Sequence, residues 1–100
     1  MKLALMDKLT IKEKIGEAVK LINNRSYKEA LECLKDIVSE NKNDPKILNL
    51  YGIVQLQLNK INEAINSFER TILLDKKFIQ GYNNLGKVYV KSGKLRKAVE

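Results

Sequence analysis

The sequence predicts an all-α fold made of repeated helix pairs. Small residues recur every 34 positions in two series, which are Ala18, Gly52 and Gly86, and Ala30, Ala64 and Ala98. A self-similarity of this length is typical of helix-turn-helix repeats that stack into a solenoid. Helix-forming residues dominate the composition, and proline occurs once, at Pro45. The chain shows no long alternation of apolar and polar residues that would indicate strands.

The composition excludes several classes of protein. A chain of 100 residues with 44% hydrophobic content fits one domain with a moderate core. With Cys33 as the lone cysteine and no histidine, neither an internal disulfide nor a zinc site is expected. No glycine-rich phosphate loop or paired-carboxylate motif is present, so we expect a non-catalytic protein without metal or cofactor. The apolar run at 3–6 is too short for a secretory leader or a membrane span, which favours a cytoplasmic, soluble protein.

Positive charge is concentrated in the last quarter of the chain. Residues 1–75 hold 12 lysines and arginines against 11 acidic residues, whereas residues 76–100 hold 7 against Glu100 alone. The last quarter therefore carries +6 of the net charge of +7. Two interpretations stay open: a basic surface that attracts an acidic partner, or a solvated face that keeps the protein soluble.

Local signals predict where the first helices begin. Residues 1–10 are interpreted as a lead-in, and Thr10 with Glu13 has the spacing of a capping box, so a helix should begin near Ile11. The apolar period breaks at 23–25. Ser26 and Glu29 have the spacing of a second capping box, which predicts a second helix directly after the break.

The next two repeats follow from similar signals. Asp44 and Pro45 predict a helix start, because the carboxylate accepts free amides and proline lacks the amide that would go unpaired. Turns are expected at 59–60 and 92–93, with a helix opening near Phe78 between them. The predicted repeats span 11–44, 45–78 and a truncated 79–100, whose second helix begins at Lys94 and has about two turns. We expect a fragment of a longer protein, or a chain that covers its open end by self-association.

The repeated positions resemble the tetratricopeptide repeat from about Ile11 to the end. The third repeat carries Tyr82, Leu85, Gly86, Tyr89 and Ala98; the second carries Leu48, Tyr51, Gly52, Ala64 and Phe68; and the first keeps Ala18, Leu21, Tyr27, Ala30 and Leu34. The first repeat departs from the family by placing Lys14 and Glu17 at usually apolar positions. The resemblance implies a right-handed solenoid of about two and a half to three repeats. Gly or Ala of each first helix should meet Ala of the second at close range, and the aromatic residues should lie in the core.

The resemblance also implies a concave groove, lined by the first helix of each repeat, that holds a segment of another protein. The candidate ligand-binding residues are Lys46, Asn49, Ile53, Gln57, Gln80, Asn83, Asn84, Lys87 and Lys91, and Lys12, Ile15, Val19, Ile22, Asn23, Leu56 and Val90 would line the same groove. Asn and Gln amides pair with a peptide backbone, and lysines select carboxylates, which favours an acidic partner. Asn83 and Asn84 are equally well explained as a solvated helix face.

One subset of the family clamps the carboxylates of heat-shock chaperone tails with lysine, asparagine and arginine side chains. At the matching positions this chain has Ile15, Val19, Leu50, Gln80 and Asn84. A chaperone-tail adaptor is therefore disfavoured.

The leading hypothesis is a protein–protein interaction module. The alternatives are homo-oligomer formation through the open C-terminal repeat, and nucleic-acid binding through the basic last quarter. Nucleic acid is the less favoured of these, because RNA-reading helical repeats are close to one residue longer than 34.

Overall fold

The computed structural model describes residues 10–93, which form five helices and no strand. The helices are α1 (Ile11–Asn23), α2 (Tyr27–Glu40), α3 (Pro45–Gln57), α4 (Ile61–Leu74) and α5 (Ile79–Ser92). Each helix packs on the next along the chain, and α3 also contacts α5. The predicted all-α solenoid of helix pairs is confirmed. Most of the predicted lead-in and the predicted last helix, with Lys94 and Ala98, lie outside the described residues.

Two predicted helix caps are present. The Thr10 hydroxyl accepts a hydrogen bond from the Glu13 amide at 3.1 Å, and the Glu13 carboxylate accepts one from the Thr10 amide at 3.1 Å. The second bond stabilises the charged carboxylate and lowers the pKa of Glu13 from its ordinary value. At the start of α3, the Asp44 carboxylate accepts from the Lys46 amide at 2.9 Å, and Pro45 occupies the first position of the helix.

The predicted capping box at Ser26 is wrong, although α2 does begin at Tyr27. The Ser26 side chain makes no capping bond, and the Ser26 amide instead donates to the Leu21 carbonyl at 2.8 Å. A capping box needs that amide for the carboxylate three residues later. The Ser26 amide therefore completes the C-terminal turn of α1 and is not available to the Glu29 carboxylate at the start of α2.

The turns inside the helix pairs share one backbone conformation that repeats every 34 residues. Arg25, Asn59 and Gly93 have φ values of 61°, 61° and 74°. The amide after Arg25 donates to the Leu21 carbonyl, and the amide after Asn59 donates to the Gln55 carbonyl, which is the Schellman arrangement. The third turn has the glycine that this left-handed conformation favours, whereas the first two carry side chains there.

Replacing Arg25 with glycine is expected to stabilise the protein by roughly 0.5–1 kcal/mol, because the left-handed strain removed exceeds the entropy that glycine adds to the unfolded chain. Urea denaturation followed by circular dichroism measures the difference. Arg25→Ala is the matched control, since it removes the same side chain but keeps the strain. A glycine variant no more stable than the alanine variant would contradict this account of the turn.

The core consists of two clusters. The first joins α1, α2 and α3 around Leu34 and Ile37, both 0% exposed; the second joins α3, α4 and α5 around Phe68, also 0% exposed. A methyl group built on Gly52 would lie 2.5 Å from a carbon of the Phe68 ring, and its three nearest atoms all belong to that ring. The close approach at Gly52 is thus made to Phe68, and the predicted contact of Gly52 with Ala64 stays a prediction. The aromatic ring therefore lies directly against the glycine.

Two polar side chains stand at positions where the repeat pattern usually has apolar residues, and each has a hydrogen-bond or ion-pair partner. Gln55 stands where the third repeat has Tyr89, and its side-chain oxygen accepts a hydrogen bond of 2.6 Å from the buried Ser67 hydroxyl. Lys14 lies 3.6 Å from the Glu40 carboxylate. Because buried polar groups are costly without partners, these contacts let polar side chains occupy packing positions.

The prediction that Tyr82 lies in the core is wrong, since its side chain is 47% exposed. Leu48, one period earlier, is 1% exposed because α3 packs between α2 and α4. Among the described helices, α5 packs on α4 and α3. The face of α5 that carries Tyr82 has no such second neighbour within residues 10–93.

Candidate functional site

Helices α3 and α5 contact each other, and together with Ile15 of α1 they line one surface, which we call the groove face. Two hydrogen bonds from side chains of α5 join it to α3: the Asn84 amide donates to the Asn49 side-chain oxygen at 2.9 Å, and the Lys91 ammonium donates to the Leu56 carbonyl at 3.3 Å. Both pairs are 35 residues apart in sequence. The two helices therefore lie side by side with a regular offset, as the repeat spacing implies.

A pocket of about 570 Å³ opens on this face at the beginnings of α3 and α5. Ile15 of α1 lines one side of it. The other lining residues are Asp44, Lys46, Ile47, Asn49, Leu50, Asp75, Lys77, Phe78, Ile79 and Gln80. The pocket combines apolar side chains with charged groups of both signs, which suits an amphipathic ligand.

The carboxylates near the pocket are occupied by backbone groups. Asp44 caps α3 through the amides of Lys46 and Ile47, at 2.9 and 3.4 Å. Asp75 accepts a hydrogen bond of 3.0 Å from the Lys77 amide in the turn before α5. Asp44 thus caps the start of α3, and Asp75 orders the turn that leads into α5.

The structure brings four of the predicted groove residues, Ile15, Lys46, Asn49 and Gln80, to the pocket. Lys46 and Gln80 are exposed, whereas Asn49 is only 4% exposed and its amide is engaged by Asn84. The amide pair Asn49–Asn84 thus serves the contact between α3 and α5. A ligand would meet the lysine and glutamine first.

The other predicted groove residues lie away from the pocket. Ile53 is half-buried and, with Leu56, packs against the core cluster of Phe68. Gln57, Asn83, Lys87 and Lys91 are exposed. On α1, the half-buried Ile22 packs against the first core cluster; the remaining predicted lining residues, Lys12, Val19, Asn23 and Val90, are exposed.

Sequence reasoning missed Asp75, Lys77, Phe78 and Ile79 as pocket residues. They belong to the segment that enters α5, and the prediction considered helix positions alone. The 34-residue repeat could have predicted this segment. It is equivalent to the segment that enters α3 at Asp44, 34 residues earlier in the chain. Loops that precede helices sit at the rim of the groove face and contribute side chains to it.

No metal-binding arrangement is found among residues 10–93. They contain no group of three or more His, Cys, Asp or Glu residues placed to hold a metal ion. Burial raises the pKa of the Cys33 thiol, and the Glu17 and Asp36 carboxylates act in the same direction. The thiol donates weakly to the Lys14 carbonyl at 3.7 Å. Within the same residues no helix is long and apolar enough to cross a bilayer.

The family model of the TPR repeat matches residues 54–93, from within α3 to the turn after α5. This segment matches the tetratricopeptide repeat. The matched segment contains Phe68 and Gly86, which the sequence analysis assigned to this pattern. No curated protein matches this chain in sequence.

Solved tetratricopeptide-repeat structures share the fold. The second TPR of Spaghetti (RPAP3) superposes with a TM-score of 0.81 at 20% identity, over 95% of this chain and 88% of that one. MamA gives a TM-score of 0.87 at 21% identity, over 98% of this chain and 57% of that one. The translocator chaperone SycD of Yersinia enterocolitica gives 0.83 at 17% identity, over 89% of this chain and 67% of that one.

Proposed function

We propose that this protein is a non-catalytic interaction module that binds a segment of another protein on its groove face. The observation that carries the proposal is the pocket of about 570 Å³ between the starts of α3 and α5. It is open, partly apolar and rimmed by exposed polar side chains such as Lys46 and Gln80. These properties suit the side chains of a peptide.

Two structures with the same fold support a peptide ligand. The second TPR of Spaghetti (RPAP3) was solved bound to the HSP90 peptide SRMEEVD, and that of human RPAP3 in complex with the HSP70 peptide SGPTIEEVD. We infer a ligand of a different sequence for this chain, because its positions matching the chaperone clamp carry Ile15, Val19, Leu50, Gln80 and Asn84. None of these side chains is cationic, so a terminal carboxylate would lack its charge partners there.

A Gln80→Trp variant is expected to lose binding to peptides selected by the wild-type protein. Random peptides displayed on phage would be selected on the immobilised chain, and the enriched sequences titrated by fluorescence polarisation. The indole would fill the pocket entrance at an exposed position, so we expect affinity to fall by at least about tenfold, or about 1.4 kcal/mol.

Asn66→Trp is the matched control, because Asn66 is exposed on α4, outside the groove face. It adds the same indole and should leave affinity unchanged. Equal losses in the two variants, or a loss in the control alone, would place the binding surface elsewhere and contradict the proposal.

Self-assembly is the second candidate function, because α5 exposes large apolar side chains. Tyr82 is 47% exposed and Val90 is 62% exposed. Sedimentation velocity at several concentrations distinguishes a monomeric binder from an assembly. Nucleic-acid binding rests on the net charge alone and would appear as an RNA affinity that falls steeply with salt.

A further inference from the structure

The two neighbouring helices of the groove face, α3 and α5, carry lysines but no acidic residues that would balance their positive charge. Together α3 and α5 contain the lysines at 46, 87 and 91 and no carboxylate. The nearby Asp44 and Asp75 lie in the turns before these helices and accept hydrogen bonds from backbone amides. The groove face thus has its apolar pocket at the start of α5 and a purely basic surface further along the same helix.

The basic surface is formed by Lys87 and Lys91. Both residues are exposed, and neither forms an ion pair within residues 10–93. They continue the line of Gln80 and Asn84 along α5, at the spacings of four, seven and eleven residues that share one helix face. Since Asn84 contacts Asn49 and Lys91 contacts Leu56, this line faces α3.

Lys91 is held in position without using up its charge. Its ammonium donates to the Leu56 carbonyl at 3.3 Å, in the last turn of α3, where a cation is favoured by the helix dipole. An ammonium group has three donors, so two remain for a ligand. Lys87 lies one turn earlier, and its ammonium makes no hydrogen bond within the described residues, so both lysines can reach one acidic group.

The distance between the pocket and the lysines sets a spacing for the ligand. Gln80 lies at the pocket, and Lys87 and Lys91 follow it by seven and eleven residues. At 1.5 Å of rise per helical residue, the separation along the axis is about 10–17 Å. An extended peptide advances roughly 3.3 Å per residue, so this separation corresponds to about three to five peptide residues.

We propose that the groove face binds an extended peptide that places a large apolar side chain in the pocket and an acidic group, about three to five residues away, on Lys87 and Lys91. This inference rests on the proposed function and specifies its ligand. The apolar contact provides most of the affinity, while the lysines select the charge and the spacing.

Short capped peptides on a Ser/Gly background test the inference. Each carries one Phe and a pair of Asp residues separated by one, four or eight positions, in both orders along the peptide; a parallel set carries Lys in place of Asp. Binding is followed by amide chemical shifts of the labelled protein. We expect the acidic peptide of spacing four to bind best, with shifts at the pocket and at Lys87 and Lys91, and to weaken as salt is raised.

Charge reversal provides the decisive comparison. In the variant K87E/K91E, the acidic peptide should lose at least about tenfold in affinity, and the Lys-containing peptide should bind better than it binds the wild type. K28E/K35E on α2 makes the same change of charge away from the groove face and should alter neither. Ile79→Ser, at a pocket residue that is 71% exposed, should weaken both peptides equally.

K87Q/K91Q removes the charge without reversing it, and circular dichroism confirms that each variant is folded. Equal affinity for acidic and basic peptides, affinity independent of spacing, or no shift with any peptide of the set would overturn the inference. If the display experiment then still yields non-acidic peptides that Gln80→Trp blocks, the proposed function stands and the ligand rule alone is wrong.

Discussion

Phe68→Ala is expected to lower the free energy of unfolding by about 3–5 kcal/mol. Phe68 is 0% exposed and lies in the cluster that joins α3, α4 and α5, with Ala64 and Val88 as buried neighbours. Removing the ring costs both its transfer free energy and the cavity it leaves. Because a domain of this size is typically stable by about 5–15 kcal/mol, the loss is a large part of the total.

Urea denaturation monitored by circular dichroism measures this effect. Val90→Ala is the control, because Val90 is 62% exposed on α5 and its truncation should change stability by less than about 0.5 kcal/mol. A loss at Phe68 no larger than the loss at Val90 would show that the second cluster does not hold these three helices together.

Gly52→Ala is expected to destabilise the protein by about 1–3 kcal/mol, although alanine is the better helix former by about 1 kcal/mol. The added methyl would lie 2.5 to 2.8 Å from three carbons of the Phe68 ring, so the ring or the helix would have to move. A methyl group built on Gly86, one period later in α5, would meet no atom within 4 Å outside its own helix backbone. Gly86→Ala should therefore stabilise the protein by roughly 0.5–1 kcal/mol.

The same two residues provide a double-mutant cycle. With Phe68→Ala already present, the space at Gly52 is open, and Gly52→Ala should be neutral or stabilising. The two substitutions would then couple by about 1–3 kcal/mol. Additive effects in the urea experiment would mean that Gly52 is required for some reason other than the approach of the ring.

Part of the candidate site was predictable, because the repeat assigns residues to helix faces. It placed Lys46, Asn49 and Gln80 on the first helices, and the pocket contains all three. It did not distinguish Asn49, which is buried and bonded to Asn84, from Gln80, which is exposed. That distinction depends on how α3 packs against α5. The pattern of residues within one helix does not show which side chains this packing buries.

The sequence by itself determined the helix pairs and most of their limits. Caps such as Thr10 with Glu13, and Asp44 with Pro45, involve neighbouring residues, so their energetics are local. The 34-residue period likewise fixed which positions are equivalent, since it records one packing solution used repeatedly.

Only the tertiary structure decided which equivalent positions behave alike. In the folded protein the Ser26 amide donates to the Leu21 carbonyl. Tyr82 is exposed where Leu48 is buried, and the Phe68 ring packs against Gly52. Burial and hydrogen bonding depend on which groups distant segments bring to a position, and those groups differ from one repeat to the next. The pocket between the starts of α3 and α5 has the same origin, because its walls come from segments far apart in the chain.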